Sequence, residues 1–327
     1  MACGGNRDED EAFAPTRASA AAARDGAMTM AARVPRKSRE LCNHHLDSRI
    51  WNAFEFRPGD VIVATYPKSG TTWMQQIVAQ LVFAGAEIPI NRISPWMDSR
   101  LNQRMRLAAL AAQRHPRILK SHLPLDALVY SPRAKYIYVA RDGRDVVWSL
   151  HHNHSNATEL YYRAFNDTPG RIGPPIGPPD PDIRRYFRRW LDEDGFPFWP
   201  YFDHVGSWWE ARGIDNILIV HFSDLSSDLE GEMRRIAAFL GAEIDPARWT
   251  RLVERCTFSY MKEHAQEVAP FGDAILEGGP QTFINKGKNG RWAGILSDRN
   301  IADYEAAARE KLGAECAAWL AAGFKRA

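Results

Sequence analysis

The segment Thr65-Tyr66-Pro67-Lys68-Ser69-Gly70-Thr71-Thr72-Trp73 constrains this chain more than any other. It follows an apolar, β-branched run, Val61 to Ala64, and precedes residues with helical apolar spacing: Trp73, Ile77 and Leu81, flanked by Met74 and Val78. A strand, a tight glycine-containing loop and a helix N-terminus in that order make an anion cradle. The first helical turn leaves backbone N–H groups unpaired, the helix dipole is positive there, and Gly70 permits close approach. Lys68 adds a point charge, and Ser69, Thr71 and Thr72 add hydroxyl donors. Serine and threonine also cap helices, but capping does not call for Lys, Gly and two threonines together.

The loop is not the nucleotide-binding G-x-x-x-x-G-K-[ST] motif. Its lysine precedes the glycine, and no earlier glycine stands at the required spacing. It resembles instead the 5′-phosphosulfate loop of cytosolic-type sulfotransferases, whose Tyr-Pro-Lys-Ser-Gly-Thr-Thr-Trp pattern is matched at all eight positions from Tyr66 to Trp73. The resemblance extends over residues 50–295. It implies 3′-phosphoadenosine 5′-phosphosulfate (PAPS) as co-substrate, held through Lys68, Ser69, Gly70, Thr71, Thr72 and Trp73.

Composition agrees with an ordinary globular chain: 327 residues, 45% hydrophobic and 25% charged. A net charge of +2 supplies no long-range basic field for nucleic acid or an anionic membrane. No window approaches the ~18–20 apolar residues that span a bilayer. Cys3, Cys42, Cys256 and Cys316 lie far apart without a C-x-x-C pair, so neither a disulfide framework nor a zinc site is indicated, and a cytoplasmic setting is expected. Residues 1–40, acidic at Asp8 to Glu11 and then alanine-rich, read as a disordered extension rather than a leader, with Met28 and Met30 as alternative starts.

Beyond the loop, strand-like and helix-like segments alternate. Strands are expected at Arg117–Lys120, Lys135–Ala140 and Asn216–His221, each apolar on successive residues, as strands buried on both faces are. Helical spacing marks 71–84, 98–113, 143–153, 182–193, 201–212 and 228–240, and a further helix is expected near 300–324. The pattern predicts a single α/β domain over 41–327: a central parallel sheet flanked by helices, the P-loop-like sulfotransferase fold, with its site at the carboxyl ends of the strands. Thr168–Pro181, with six prolines and three glycines, is an insertion that fits neither helix nor central strand. It reads as a surface loop or as a rim over an acceptor pocket. The aromatic residues that follow, from Tyr186 to Trp209, are expected mainly to pack helices on the sheet.

Three more segments carry chemistry. In Lys120-Ser121-His122-Leu123-Pro124 a histidine stands just after a strand, placed for proton transfer near neutral pH. The resemblance implies His122 as general base, Lys68 and Lys120 as charge stabilisers, and Lys120, Ser121 and His122 as acceptor contacts. In Val139 to Ser149 a strand ends in Arg141, with Ser149 eight residues on. The resemblance makes these two the 3′-phosphate site, where arginine gives a forked, permanent charge. A kinase strand should end in an aspartate that holds magnesium; this one ends in Arg141, followed by Asp142. Phe283-Ile284-Asn285-Lys286-Gly287-Lys288-Asn289-Gly290-Arg291-Trp292 resembles the late Arg-Lys-Gly-x-x-Gly-x-Trp segment that wraps the same phosphate, with Asn285 where arginine is usual. Phe222, where many relatives have tyrosine, and Thr257 and Phe258 are the implied adenine contacts, with Trp73 as another stacking group.

His151, His152 and His154 invite a metal reading, but no carboxylate or cysteine completes a ligand set, and no metal is expected. The resulting expectation is transfer of a sulfuryl group from PAPS to a hydroxyl, or an amine, of a small organic acceptor alcohol or phenol. A small-molecule kinase on the same architecture and a catalytically silent nucleotide-binding module are the alternatives. The acceptor and the oligomeric state stay open, since no dimer motif is recognisable around Arg291 to Ile301.

Overall fold

A computed structural model describes residues 34–85, 90–114, 116–269 and 272–324, and residues 35–327 form one compact unit. The expected extension at 1–40 lies almost wholly outside the described residues. Four parallel strands make the sheet, in the order β2-β1-β3-β4: β1 (Val61–Thr65), β2 (Ile118–Ser121), β3 (Lys135–Ala140) and β4 (Ile217–His221). Val63 pairs with Lys120 on one side and Ile137 on the other, and Val139 pairs with Val220. The continuous apolar runs are buried on both faces, and their alternation sorts them into two cores.

Val61, Val63, Ile137, Val139 and Val220 face a core closed by α1 (Thr71–Val82), α7 (Leu229–Leu240) and α8 (Trp249–Arg255). Ile62, Ala64, Tyr136, Tyr138, Ile217 and Ile219 face the other, larger and more aromatic core. There α3 (Gly143–Ser155), α5 (Ile183–Asp192), α6 (Tyr201–Trp209) and α9 (Asp298–Ala322) contribute Trp148, Trp190, Trp208 and Trp319. Tyr138 stacks on Trp208 with centroids 5.1 Å apart and planes 5° from parallel. The aromatic run after the insertion therefore packs helices on the sheet, as its composition suggests.

The expected helices form with shifted ends. The 98–113 pattern becomes α2 (Gln103–Ala112), because Pro95 to Ser99 is spent alongside β2: Lys120 N–H donates to the Pro95 carbonyl and Met97 N–H to the Lys120 carbonyl. Helix α4 (Glu159–Asp167) was not expected. Its stripe of Tyr161 and Phe165 is too short to announce a period. In the insertion behind it, Ile176 is buried against Tyr161 and Phe165, and Asn166 exchanges hydrogen bonds with the Ile176 backbone.

Candidate active site

At the carboxyl ends of β1, β2 and β3 opens a cavity of about 540 Å³. Gly70, at φ 101°, turns the chain from β1 into α1 and has no side chain to cap the helix, so the first-turn N–H groups of Thr71, Thr72 and Trp73 are left at the cavity these residues line. A Cβ on Gly70 would lie 2.9 Å from the Phe222 ring, so the glycine also lets that ring close down on the loop. Lys68 itself takes a left-handed φ of 67°, an uncommon conformation for a residue with a Cβ.

Six cationic residues line the cavity: Lys68, Lys120, Arg141, Lys286, Lys288 and Arg291. Lys68 Nζ donates to Asn153 Oδ1 at 3.0 Å and lies 4.3 Å from the Phe283 ring centroid. Lys120 Nζ lies 4.8 Å from that of Trp96. Among the described residues neither lysine has a carboxylate within ion-pair distance. Burial, then repulsion from Lys120 and Arg141, lowers Lys68 from 10.5 to about 7. Burial lowers Lys120 to about 8, against a smaller opposing pull from Asp98. Arg141, lowered by burial to about 10, donates to Asn289 Oδ1, the Lys68 carbonyl and the Lys288 carbonyl, and lies 4.2 Å over the Phe222 ring. Asp142 pairs instead with Arg144 and caps α3, and Asp145 accepts from Gly290 N–H. Such a group of buried, under-compensated cations fits an anionic ligand. So does the Ser69 hydroxyl, buried in the loop without a partner.

His122 links this charged end to an apolar one. Its Nδ1 lies 2.8 Å from the Thr65 carbonyl, which only accepts, so the ring proton sits on Nδ1 and the Nε2 lone pair is available. Burial, reinforced by the nearby Lys120 charge, holds His122 well below 6.5, so the ring is neutral at pH 7. The backbone of His122 is pinned by Asp98, whose Oδ2 accepts from His122 N–H and from Trp96 Nε1, both at 2.9 Å. Trp96 then packs edge-on to the His122 ring with centroids 5.1 Å apart. Thr65 Oγ1 also bonds Thr71 Oγ1 at 2.6 Å, which ties the histidine's anchor to the first residue of α1.

Beyond Trp96 the lining becomes aromatic: His45, Tyr161, Phe165 and Phe198, with Leu101 and Ile275. Phe198 is the one residue of the aromatic run from Tyr186 to Trp209 that reaches the cavity.

Of the residues expected at the site, Lys68, Gly70, Thr71, Thr72, Trp73, Lys120, His122, Arg141, Ser149, Phe222, Phe258, Phe283, Ile284, Asn285, Lys286 and Gly287 all line this one cavity. Three do not. Ser69 is turned into the loop, Thr257 caps the short helix Phe258–Glu263, and Ser121 is fully buried with its hydroxyl accepting from Leu123 N–H. Ser121 fails for a simple reason: along β2 successive side chains alternate, so Lys120 faces the cavity and Ser121 cannot. Nor do His151, His152 or His154 line it. The first two donate to the carbonyls of Asp180 and Thr282, and the third stacks on Phe198. Among the described residues no group of three His, Cys, Asp or Glu is placed to hold a metal ion. Sequence reasoning missed Asp98, Asn153, Asn289, His45 and Tyr161, each of which acts through partners distant in the chain.

A sulfotransferase-domain profile matches residues 58–315. Sulfotransferase 2B1 of Homo sapiens is 30% identical over 270 residues, covering 80% of this chain and 68% of that protein. A glycolipid sulfotransferase of Mycobacterium tuberculosis is 29% identical over 281 residues, covering 79% and 86%. The fold is shared with mouse sulfotransferase SULT7A1 in complex with PAP (TM-score 0.66, 20% identity, 87% of this chain and 96% of that one). It is also shared with retinol dehydratase in complex with androsterone and the inactive cofactor PAP (TM-score 0.60, 25% identity, 81% and 83%). With a parallel sheet carrying an anion cradle, a neutral histidine beside it and a matching profile over most of its length, this chain belongs to the sulfotransferase family of enzymes.

Proposed function

We propose that the protein transfers a sulfuryl group from PAPS to a hydroxyl of a small apolar alcohol or phenol, with His122 as general base. The observation that carries this reading is the hydrogen bond from His122 Nδ1 to the Thr65 carbonyl at 2.8 Å. It commits the ring proton away from the cavity and leaves Nε2 as a base, beside two lysines that lack counterions. The bound PAP of the solved relatives supports the choice of donor.

The donor supplies an activated sulfuryl group on a good leaving phosphate. The chain supplies the rest. The first turn of α1 and Lys68 hold negative charge at the 5′ end, while Arg141, Ser149 and the 285–288 segment are assigned the 3′-phosphate. Trp73, Phe222 and Phe258 offer ring faces to the adenine. His122 Nε2 takes the acceptor's hydroxyl proton, and Lys120 opposes the charge that builds on the transferring oxygens. Trp96, Phe165 and Phe198 keep water away. Free thiols at Cys42, Cys256 and Cys316 support a reducing, cytoplasmic setting, and among the described residues no helix is long and apolar enough to cross a membrane.

The test is an acceptor screen with PAPS, read as sulfate ester by mass spectrometry. Ester formed by the wild type and lost in His122→Ala is the expected result. Binding of PAPS without turnover of any acceptor would leave only a nucleotide-binding module.

A further inference from the structure

Arg100 joins two walls of the aromatic end through backbone carbonyls. Its own N–H donates to the His45 carbonyl at 2.9 Å, and its Nε to the His44 carbonyl at 3.1 Å. Asp47 N–H donates to the Asp98 carbonyl and Leu46 bridges Ser99, so residues 44–47 run antiparallel along 98–100. The rest of the guanidinium reaches α4. Its Nη2 donates to the Phe165 carbonyl at 2.6 Å, and Nη1 to those of Thr168 and Pro169 at 2.8 and 3.0 Å.

The sequence explains why α4 needs such a donor. The helix ends at Asp167, and its C-cap Thr168 is followed by proline, which has no N–H to return to the last turn. Side chains supply donors instead: Thr168 Oγ1 serves the Ala164 carbonyl, Arg171 that of Asn166, and Arg100 that of Phe165. Thr168 and Arg171 belong to the chain leaving α4, whereas Arg100 comes from 65 residues away. Its charge also lies at the negative end of the helix dipole.

What Arg100 joins lines the cavity. His45 comes from the ladder, Tyr161 and Phe165 from α4. His45 packs on Phe165 with ring centroids 4.1 Å apart, and its Nε2 lies 2.8 Å from the Tyr161 hydroxyl. Ring packing is non-directional, but a planar fork with its N–H groups at fixed angles sets the spacing of both backbones. The surfaces held in this way are ring faces and edges, which make their closest contact with another flat ring.

We propose that Arg100 is a positioning residue for the acceptor: by fixing His45 against the end of α4 it sets the width of the aromatic end, and so selects flat aromatic acceptors over thick, cage-like alcohols. The proposal rests on the sulfuryl-transfer reading of the cavity and names a determinant of its acceptor class. Without the fork the walls part, which loosens the contact on a flat ring and makes room for a thick one.

The probes are 2-naphthol and 1-adamantanol, titrated by calorimetry into protein saturated with PAP. Wild type is expected to favour 2-naphthol. Arg100→Met should weaken 2-naphthol about tenfold, with 1-adamantanol and PAP each within about twofold of wild type. Arg100→Lys keeps the charge and loses the fork; it should fall between the two, and it carries the test if Arg100→Met does not fold. Arg57→Met is the control. Arg57 donates in the same way to the carbonyls of Ala111 and Gln113 at the end of α2, at 2.6 and 2.7 Å, and α2 lends no residue to the cavity lining. Its loss should leave both probes bound as in wild type. The proposal is overturned if wild type does not favour 2-naphthol, if the Arg100 variants bind 2-naphthol as wild type does, if both probes weaken equally, or if Arg57→Met reproduces the loss. PAP is titrated first: failure of PAP to bind counts against the sulfuryl-transfer reading itself, whereas PAP binding without the change in selectivity counts against the proposal alone.

Discussion

At the loop end of the cavity burial acts on Lys68, Lys120 and Arg141; at the aromatic end it acts on His45 in the cavity wall, and on His44 and His154 behind that wall. Both sets are buried, and both are shifted by that burial toward their neutral forms. The outcomes differ because the groups start from different places. Lysine and arginine begin so high that Lys120, at about 8, and Arg141, at about 10, still carry charge at pH 7. The histidines begin near 6.5 and are neutral there, His154 lowered to about 3. One end stores positive charge without a counterion and is completed by an anion. The other discards charge, and is left with shape and neutral hydrogen bonds. His122 stands between them and shares the second group's chemistry at the first group's address.

The strongest way to break this contrast is at its junction. His122→Ala should lower kcat about 10³-fold while PAP affinity stays within about twofold, since a base acts on the acceptor proton and not on the bound nucleotide. Turnover within tenfold of wild type would end its assignment as base.

The stored charge is tested next. Lys68→Met should weaken PAP about 30-fold by calorimetry, roughly 2 kcal/mol. It should also raise the Tm of the nucleotide-free protein by about 2 °C at pH 7.5, because an uncompensated cation is removed. The sign follows from the shift. Lys68 titrates at about 7 in the fold against an ordinary 10.5, so the unfolded chain binds more protons over that interval and stability rises with pH across it. For the same reason PAP binding at pH 7.5 should take up about one proton, measured in buffers of different ionisation enthalpy. Binding with no proton change would show that the phosphates do not meet Lys68.

A smaller effect separates the ends. Replacing Pro174–Pro179 by a Gly-Ser linker removes Ile176 from behind Tyr161 and Phe165, and should raise the acceptor KM about fivefold with the PAPS KM unchanged. Equal changes in both would make the insertion a general stabiliser. The smallest expected effect is at the segment 285–288, where Asn285→Arg should tighten PAP about threefold and leave adenosine 5′-phosphosulfate, which lacks the 3′-phosphate, unaffected. Equal gains for both nucleotides would reduce it to a bulk charge effect.

The loop end was legible in the sequence because its parts are local. Tyr66 to Trp73 sits on one strand-turn-helix unit, and apolar runs such as Lys135–Ala140 place the sheet beneath it. The aromatic end was not, because its parts meet only in three dimensions: His45 and Tyr161 are 116 residues apart, and neither residue type announces a site by itself. Asp98 was hidden for the same reason, since its role exists only through the His122 backbone and the Trp96 indole. The misplacement of Ser121 was avoidable. Strand alternation puts Lys120 and Ser121 on opposite faces, and a motif read as a string of letters loses that distinction. Asn289 shows the converse: a residue inside an expected motif whose contribution, a bond to Arg141, no spacing rule contains.

Ile176 supports the aromatic wall from outside the cavity, on a segment that no strand runs through. Heritable change in that segment therefore has an unusual freedom. Insertions or deletions there can reshape the aromatic wall while the loop, His122 and the sheet are copied untouched. On the proposed function, a library confined to residues 168–181 searches acceptor preference while sparing the anion loop.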